Sequence, residues 1–159
     1  MHPPSLIRTV GAADDAALVQ VIRCVMAEFG ACASSADAEL EFMSRSYEAP
    51  RAAYFVLEEG GNIVGGAGIA PLAGASFEVC ELRKMYLLPG ARGQGSGVLL
   101  LRRCLRAARG FGYQLCYLET LEAMAAARHL YERAGFRPVA QRPSVSGDRG
   151  CDRWFALEL

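Results

Sequence analysis

The apolar positions in the first third of the chain predict a strand followed by two helices. Residues 5–10 form a short apolar segment typical of a strand. Residues 13–29 predict a helix, because five apolar side chains recur there at helical spacing: Leu18, Val21, Ile22, Val25 and Phe29. Ser34 and Asp37 have the spacing of a capping box, which predicts a second helix with Leu40 and Met43 on its apolar face.

The next segment predicts three consecutive antiparallel strands. Residues 53–57 are rich in Tyr, Phe and Val, and the turn at residues 59–62 joins them to a return strand over residues 63–70. A third strand covers residues 77–88. Glycines at positions 65, 66 and 68 are unusual inside a strand and indicate a bulge or a closely packed neighbour.

The second half of the chain predicts alternating helices and strands. We expect helices over residues 96–110 and 122–134, closed by Gly110 and Gly135. The first of them carries an apolar side made of Val98, Leu101, Leu105 and Ala108, with four arginines mostly on the other side. The strands are expected at residues 113–118, 136–141 and 151–159. The fold class is therefore mixed α/β, in the order β-α-α-β-β-β-α-β-α-β-β, antiparallel at first and with one parallel β-α-β crossover.

Composition narrows the class of protein. At 159 residues, with 52% apolar residues, the chain predicts one folded domain over residues 1–159. The balance of 17 basic and 17 acidic residues gives no support for a nucleic-acid or membrane-surface partner. The first residues lack a signal region, and no apolar run is long enough to span a bilayer, so we expect a cytoplasmic protein. None of the six cysteines forms a C-x-x-C pair, which favours reduced thiols and no metal site.

The chemistry of the chain concentrates in the glycine-rich turn between the third strand and the following helix, Arg92-Gly93-Gln94-Gly95-Ser96-Gly97. Glycines let the backbone approach a ligand, and the first amides of a helix favour negative charge, so this turn predicts a phosphate site. A dinucleotide fingerprint fails because Val98 replaces its third glycine. A Walker A loop fails because Ser96 stands in place of its lysine.

Two motifs carry a family resemblance. The pattern Arg92-x-x-Gly95-x-Gly97 resembles the [Q/R]-x-x-G-x-[G/A] pyrophosphate loop of the GNAT acyl-CoA-dependent N-acyltransferases. Residues 130–136 resemble the L-Y-E-x-x-G-F signature that follows this loop in the superfamily. The order of predicted elements also resembles the GNAT fold, and the likeness covers nearly the whole chain.

The resemblance implies a set of residues that bind acetyl-CoA as cosubstrate. Backbone amides from Arg92 to Gly97 would hold the pyrophosphate, and backbone groups of Met85, Tyr86 and Leu87 would bind the pantetheine arm. Many relatives carry an asparagine where this chain has Met124, which cannot donate a hydrogen bond. Either Thr120 supplies that bond or the strands alone hold the arm.

The resemblance also implies the catalytic residues. Glu81, on the strand before the loop, would be the general base that removes the proton of the attacking amine; an ion pair with Arg83 or Lys84 is the alternative interpretation. Tyr131 would be the acid beside the CoA sulfur, with a simple core position as its alternative. Cys80 leaves open a covalent route, and Glu78 is a weaker substitute for the base.

The resulting hypothesis is an N-acetyltransferase that moves an acetyl group from acetyl-CoA to a primary amine by direct attack in a ternary complex. A non-catalytic acyl-CoA-binding module, or a longer acyl donor, is the alternative. The acceptor would be a small amine or a peptide, bordered by residues 29–47, 71–76 and 143–150. Glu119, Asp152 and Arg153 are further candidates near it, and a homodimer is left open.

Overall fold

Over the described residues, seven strands and four helices follow one another in the order that the sequence predicts. The computed structural model describes residues 4–30, 38–140 and 151–159. The strands are β1 Ser5–Thr9, β2 Ala53–Glu59, β3 Asn62–Pro71, β4 Val79–Leu87, β5 Leu115–Thr120, β6 Arg137–Pro138 and β7 Arg153–Glu158. The helices are α1 Asp15–Glu28, α2 Met43–Ser46, α3 Ser96–Gly110 and α4 Ala125–Arg133. Short 3-10 turns precede α1 and α2.

One mixed sheet contains all seven strands, in the spatial order β1-β2-β3-β4-β5-β7-β6. Neighbouring strands are antiparallel except β4 and β5, which are parallel and joined through α3. Gly60 and Gly61 close the β2–β3 hairpin with φ of 58° and 84°, a conformation that favours glycine. The mixed α/β class and the single parallel crossover are therefore confirmed.

Strands β4 and β5 stay paired over only part of their length. Val79 to Leu82 pair with Leu115 to Leu118, and the register stops there. The remaining residues of β4, up to Leu87, have no partner on β5, although β3 still pairs with Leu87 and Tyr86 on the other side. A gap therefore opens in the middle of the sheet at the carboxyl ends of the two parallel strands.

A bulge in β4 lies where this gap begins. Gly68 of β3 pairs with Arg83 and Gly66 pairs with Tyr86, so two residues of β4 stand opposite one residue of β3. Lys84, one of these two, has a φ of 47° although it is not a glycine. The bulge that the strand glycines indicated is thus observed.

Apolar side chains form a cluster on each face of the sheet. On the face covered by α3, the buried side chains of that helix meet Cys80 and Leu82 of β4, Cys116 and Leu118 of β5, and Phe136 and Tyr131. On the face covered by α1, Leu18 and Ile22 pack with Leu40, Met43, Tyr47 and Tyr54. Residues of β4 at successive positions point to opposite faces, so Glu81, between Cys80 and Leu82, lies on the α1 face.

Several element boundaries differ from the sequence prediction. The third antiparallel strand begins at Val79 rather than Phe77, because residues 72–78 form a turn in which the Phe77 ring is exposed. Helix α4 begins at Ala125, not at residue 122, and β6 is only two residues long. The predicted capping box at residues 34–37 and the loop at residues 143–150 lie outside the described residues.

Two details of the prediction for α3 are wrong: the glycine that takes the left-handed conformation at its end, and the burial of Val98. Gly110 is the last residue of the helix, but Gly112 takes the left-handed conformation, with φ of 83°. Val98 is 39% exposed rather than part of the buried side, where Leu100 and Cys104 lie instead. Leu101, Leu105 and Ala108 are buried as predicted, so the buried face is the predicted one without Val98 and extended to Leu100 and Cys104.

Candidate active site

A cavity of about 1020 Å³ lies beside the gap in the sheet. It is bordered by the end of β4, by the glycine-rich turn, by the cleft-facing sides of α3 and α4, and by the C-terminal end of α1. Met85, Tyr86 and Leu87, the three β4 residues expected to bind the pantetheine arm, all line it. The cavity, called the cleft below, therefore runs from the gap to the start of α3.

The glycine-rich turn presents backbone to the cleft. Gly93 and Gly95 have φ of 74° and 85°, and the space where a Cβ would stand is empty at both positions. Gly95 is the N-cap of α3, so the unpaired amides of the first helical turn begin directly after it. At Gly97 a Cβ would meet Leu130 of α4 at 3.4 Å, an ordinary van der Waals distance, so this end of α3 lies directly beside α4.

The side chain of Arg92 braces the turn. Its Nε donates to the carbonyl oxygen of Leu87 at 2.9 Å, and its guanidinium donates to both carboxylate oxygens of Glu28 at 2.7 and 2.8 Å. The turn is thereby tied both to the end of β4 and to the last residue of α1. Arg92 lines the cleft while its charge is already paired.

Of the other residues expected to bind the cofactor, Gln94 stabilises the glycine-rich turn and Met124 lines the cleft, whereas Ser96 and Thr120 do neither. The Gln94 amide donates to the Gly90 carbonyl at 2.9 Å, which holds the turn from within. Ser96 is buried and borders a second groove, on the β1 side of α3, rather than the cleft. Thr120 is buried with its hydroxyl 3.9 Å from the sulfur of Met124; Met124 lines the cleft and Thr120 does not.

Positive charge dominates the cleft. Its lining includes four arginines and a histidine but no carboxylate: Arg92, Arg102, Arg109, Arg133 and His129. Within the described part of the chain, Arg102, Arg109 and Arg133 form no ion pair. A concave surface with unpaired cations and no acid suits a ligand with several negative charges. From the sequence, the α3 arginines form a solvated face, part of which could instead meet a ligand phosphate; periodicity alone does not show which of them border a cavity.

Tyr131 lies at the inner wall of the cleft. It is 5% exposed, and its ring packs edge-on to Phe136 with 5.9 Å between centroids. Burial raises the pKa of its hydroxyl well above the ordinary tyrosine value. The side chain thus takes part in the core and borders the cleft at the same time, and its hydroxyl keeps its proton at neutral pH.

Glu81 does not line the cleft. It lies opposite Tyr117 of β5, on the α1 face and close to where the gap opens. Its carboxylate accepts a hydrogen bond from Arg83 Nε at 2.8 Å, which is the ion pair that the alternative interpretation predicted. Burial raises the pKa of Glu81; the Arg83 guanidinium opposes that rise, and the charges of Glu119 and Glu39 add to it.

The remaining candidates fall outside the cleft or pair elsewhere. Cys80 is fully buried in the α3-side core, so a covalent route through its thiol has no access. Glu78 accepts a hydrogen bond from the Gln114 amide at 3.3 Å. Asp152 accepts from the backbone amide of Glu122 at 2.7 Å, and Arg153 pairs with the Glu122 carboxylate.

Metal-ligand clusters and membrane-spanning helices are both absent from residues 4–30, 38–140 and 151–159. There, no group of three or more His, Cys, Asp or Glu side chains stands close enough to hold a metal ion. In those same ranges no helix has the length and apolar character to cross a membrane. Of the five cysteines with described positions, Cys80, Cys104 and Cys116 are buried and none is in a disulfide, whereas Cys24 is exposed.

Comparison with known proteins places this geometry in a family. Residues 19–136 match the model of the acetyltransferase (GNAT) family. An uncharacterised N-acetyltransferase of Escherichia coli (strain K12) is 38% identical over 158 residues, covering 97% of this chain and 95% of the relative. The aminoglycoside N(6')-acetyltransferase type 1 of Klebsiella aerogenes is 30% identical over 145 residues, covering 89% and 95%.

Solved structures agree with the sequence relatives. A GNAT-family acetyltransferase from Staphylococcus aureus Mu50 superimposes with a TM-score of 0.88 at 20% identity, covering 98% of this chain and 99% of the other, which shows the shared fold. An acetyltransferase from Salmonella typhimurium, solved with its cofactor acetyl-CoA, has a TM-score of 0.76 at 25% identity and covers 98% and 94%. The chain therefore belongs to the GNAT acetyltransferase family, whose members are acyl-CoA-dependent N-acetyltransferases.

Proposed function

We propose that this enzyme transfers the acetyl group of acetyl-CoA to a primary amine by direct attack in a ternary complex. The observation that carries the proposal is the cleft: about 1020 Å³, lined by arginines and no carboxylate, and reaching the gap between β4 and β5. A molecule with phosphates at one end and a thioester at the end of a narrow arm matches both the charge and the shape.

The chain offers one group for each part of acetyl-CoA. The amides that follow Gly93 and Gly95 face the pyrophosphate, where the helix dipole favours negative charge. Met85 to Leu87 have no partner on β5, so their backbone can pair with the pantetheine amides as an added strand would. Arg102, Arg109 and Arg133 supply unpaired positive charge for the remaining phosphate.

Glu81 acts as the general base in this proposal. A primary amine with a pKa near ~10 is mostly ammonium at pH 7, and its deprotonation costs roughly 4 kcal/mol. A carboxylate whose pKa is raised by burial accepts a proton more readily than an ordinary one. In the acceptor complex Arg83 would shift from Glu81 towards the Pro71 carbonyl, to which its Nη2 already donates at 3.2 Å.

Tyr131 donates a hydrogen bond to the departing sulfur. Because its hydroxyl pKa lies above the ordinary value, it remains a donor throughout the neutral range. A thiol has a pKa of roughly 8.5, below that of a buried tyrosine, so a hydrogen bond to the thiolate is favoured over complete proton transfer. Tyr131 therefore stabilises the leaving group while solvent supplies the final proton.

The acceptor would be a cationic amine on a small molecule or a peptide. Glu39, Glu81 and Glu119 lie near one another on the α1 face, and the negative charges of Glu39 and Glu119 both act on Glu81. Arg83 pairs with Glu81, and Lys84 Nζ lies 3.7 Å from a Glu39 carboxylate oxygen, so an ammonium group would exchange with these side-chain cations at the carboxylates. The relative from Klebsiella aerogenes, which by its name acetylates aminoglycosides, is consistent with a polycationic acceptor.

The first test measures cofactor binding and turnover separately. Acetyl-CoA at a hundredfold excess over its Kd should stabilise the protein by about 2.7 kcal/mol. That corresponds to a rise of roughly 5–10 °C in Tm. CoA release is then followed against a mixed panel of amines. An unchanged Tm in a folded sample free of co-purified CoA would contradict the assignment of the cleft.

The catalytic assignment is tested with a pair of carboxylate variants. Glu81→Gln should lower kcat by about 10²-fold or more, with little change in acetyl-CoA affinity. Glu78→Gln is the matched control and should retain activity, because within the described residues the Glu78 carboxylate accepts a hydrogen bond only from the Gln114 amide. Equal activity in both variants would remove Glu81 as the base.

A non-catalytic acyl-CoA-binding module is the second candidate. The observation that favours it is the Arg83–Glu81 ion pair, which occupies the carboxylate that catalysis needs free. Its signature would be a full Tm shift with acetyl-CoA and no amine-dependent CoA release from the wild type.

A further inference from the structure

Two buried tyrosines each hold the carbonyl of a residue in the left-handed conformation. Among the described residues, only Arg51 and Lys84 adopt positive φ without being glycine, at 61° and 47°. The Tyr113 hydroxyl donates to the Arg51 carbonyl at 2.8 Å, and the Tyr54 hydroxyl donates to the Lys84 carbonyl at 2.7 Å. This conformation is unfavourable for a residue with a Cβ, so each hydrogen bond helps to maintain it.

The fold makes room specifically for Tyr54. Its side chain is fully buried, and its ring lies against two glycines of β3. A Cβ at Gly66 would stand 2.6 Å from the ring, and one at Gly68 would stand 2.5 Å from it. Any larger residue at these positions would displace the ring, so the strand glycines, Tyr54 and the bulge form one packed unit.

The hydrogen bond fixes a peptide plane next to the cleft. In a trans peptide the carbonyl of one residue and the amide of the next point in opposite directions. The Lys84 carbonyl points to Tyr54, in the cluster on the α1 face. The Met85 N–H therefore points away from Tyr54, and Met85 lines the cleft without a register partner on β3 or β5.

We propose that Tyr54 is a positioning residue, which holds the Lys84 carbonyl and so directs the Met85 amide at the carbonyl oxygen of the bound thioester. This inference rests on the proposed function, because it assumes that an acyl group enters the gap. When the amine attacks, negative charge develops on that oxygen, and a fixed amide donor stabilises the charge without rearranging. Tyr54 touches neither substrate and acts through the backbone.

The first experiment compares two matched variants. Tyr54→Phe keeps the ring on the glycines but removes the bond to Lys84, whereas Tyr113→Phe removes the equivalent bond at Arg51, away from the cleft. Displacement of a catalytic donor costs up to about 10²-fold in rate. We expect Tyr54→Phe to lower kcat about tenfold or more, with the acetyl-CoA Kd within about threefold of the wild type. Tyr113→Phe should leave kcat within about twofold.

A double variant tests whether the conformation of Lys84 is the link. Glycine adopts positive φ without a steric penalty, so Lys84→Gly should need less support from Tyr54. Compared with Lys84→Gly alone, Tyr54→Phe/Lys84→Gly should lose less kcat than Tyr54→Phe loses in the wild type. An equal loss in both backgrounds would overturn the proposed route through Lys84.

A measurement independent of turnover separates this inference from the proposed function. Met85 is one of five methionines, so its amide can be followed by 15N-methionine labelling and NMR. Tyr54→Phe should shift the Met85 signal in the free protein, and Tyr113→Phe should not. An unchanged Met85 signal, or equal losses of kcat in the two variants, would overturn the role of Tyr54. If the wild type binds acetyl-CoA but acetylates no amine, the proposed function fails, while the Met85 signal still decides whether Tyr54 orients that amide.

Discussion

At the scale of single residues, the burial of Glu81 should determine how activity depends on pH. Its pKa is raised mainly by burial, and the base must be deprotonated to accept a proton from the amine. We therefore expect kcat/KM to rise with pH through the pKa of Glu81, so that the acidic limb lies above the ordinary glutamate range. Glu81→Gln should abolish this limb in a pH–rate profile. A limb that persists unchanged in the variant belongs to another group.

The unpaired arginines of α3 give a second residue-scale prediction. Arg102 and Arg109 border the cleft, whereas Arg106, equally exposed on the same helix, borders only the groove on the β1 side. The double variant Arg102→Gln/Arg109→Gln should weaken acetyl-CoA binding about fivefold or more at low salt, because two charge-assisted contacts are lost. Calorimetry should show less than a twofold change for Arg106→Gln. An equal loss of acetyl-CoA affinity in the Arg106→Gln variant would indicate a general electrostatic attraction of the helix for the cofactor rather than direct contacts of Arg102 and Arg109.

At the scale of elements, β3 depends on glycines for packing rather than for turn geometry. A Cβ at Gly68 would approach the rings of Tyr54 and Tyr47 to 2.5 and 2.9 Å. Gly68→Ala should therefore destabilise the protein by about 1–3 kcal/mol in urea denaturation. Gly110→Ala, where a Cβ meets open space inside α3, is the control and should be neutral or stabilising. A stable Gly68→Ala protein would contradict the close packing.

Arg8 links the start of α1 to strands β1 and β2 through hydrogen bonds. Arg8 of β1 donates to both carboxylate oxygens of Asp14, at 2.7 and 2.9 Å, and to Glu58 of β2. The hydrogen bond from Arg8 holds the pKa of Asp14 below its ordinary value. The bond between Arg8 and Asp14 therefore stabilises the fold at pH values above the pKa of Asp14 in the unfolded chain. This stabilisation is lost as pH falls through the pKa of Asp14 in the folded protein.

The variant Asp14→Asn tests how much the ion pair between Arg8 and Asp14 stabilises the fold. The variant should lose about 1–2 kcal/mol of stability at neutral pH, because a charged hydrogen bond is weakened. The difference from the wild type should shrink below about pH 4, where the Asp14 carboxylate of the unfolded wild type becomes protonated. Urea denaturation at several pH values measures both. A difference that stays constant down to about pH 2 would show that the Asp14 charge is not its source.

At the scale of the whole molecule, the gap divides the sheet into two parts that share only four register pairs. Strands β1 to β4 form one side, and β5, β7 and β6 form the other. Acetyl-CoA bound along the end of β4 would satisfy backbone groups that no strand satisfies. Hydrogen exchange should therefore slow at residues 85–87 and 93–97 on binding, and remain unchanged in β2, every residue of which has a register partner on β3. Slowing spread evenly over the sheet would indicate general stabilisation instead.

Local sequence carried much of the fold. Alternation and helical spacing predicted the order of elements, because each side chain's face depends on the backbone period alone. The turn from Arg92 to Gly97 and the motif ending at Phe136 indicated the family, since a phosphate loop needs specific residues at fixed spacing. The glycines of β3 indicated a bulge or a closely packed neighbour, and the structure has both: the bulge opposite them in β4 and the ring of Tyr54 against Gly66 and Gly68. The roles of Glu81 and Tyr131 stay predictions, as does the cytoplasmic location.

Contacts between residues far apart in the sequence were decided only by the tertiary structure. Tyr54 and Lys84 are thirty positions apart, and their hydrogen bond exists only because β2, β3 and β4 lie side by side. Arg102 and Arg109 border the cleft together with residues of α4, whereas Arg106 does not, and the spacing along α3 alone does not show this difference. The sequence by itself determined which elements form and in what order. The geometry that makes them a catalytic site comes from long-range packing, in which each contact depends on several distant segments at once.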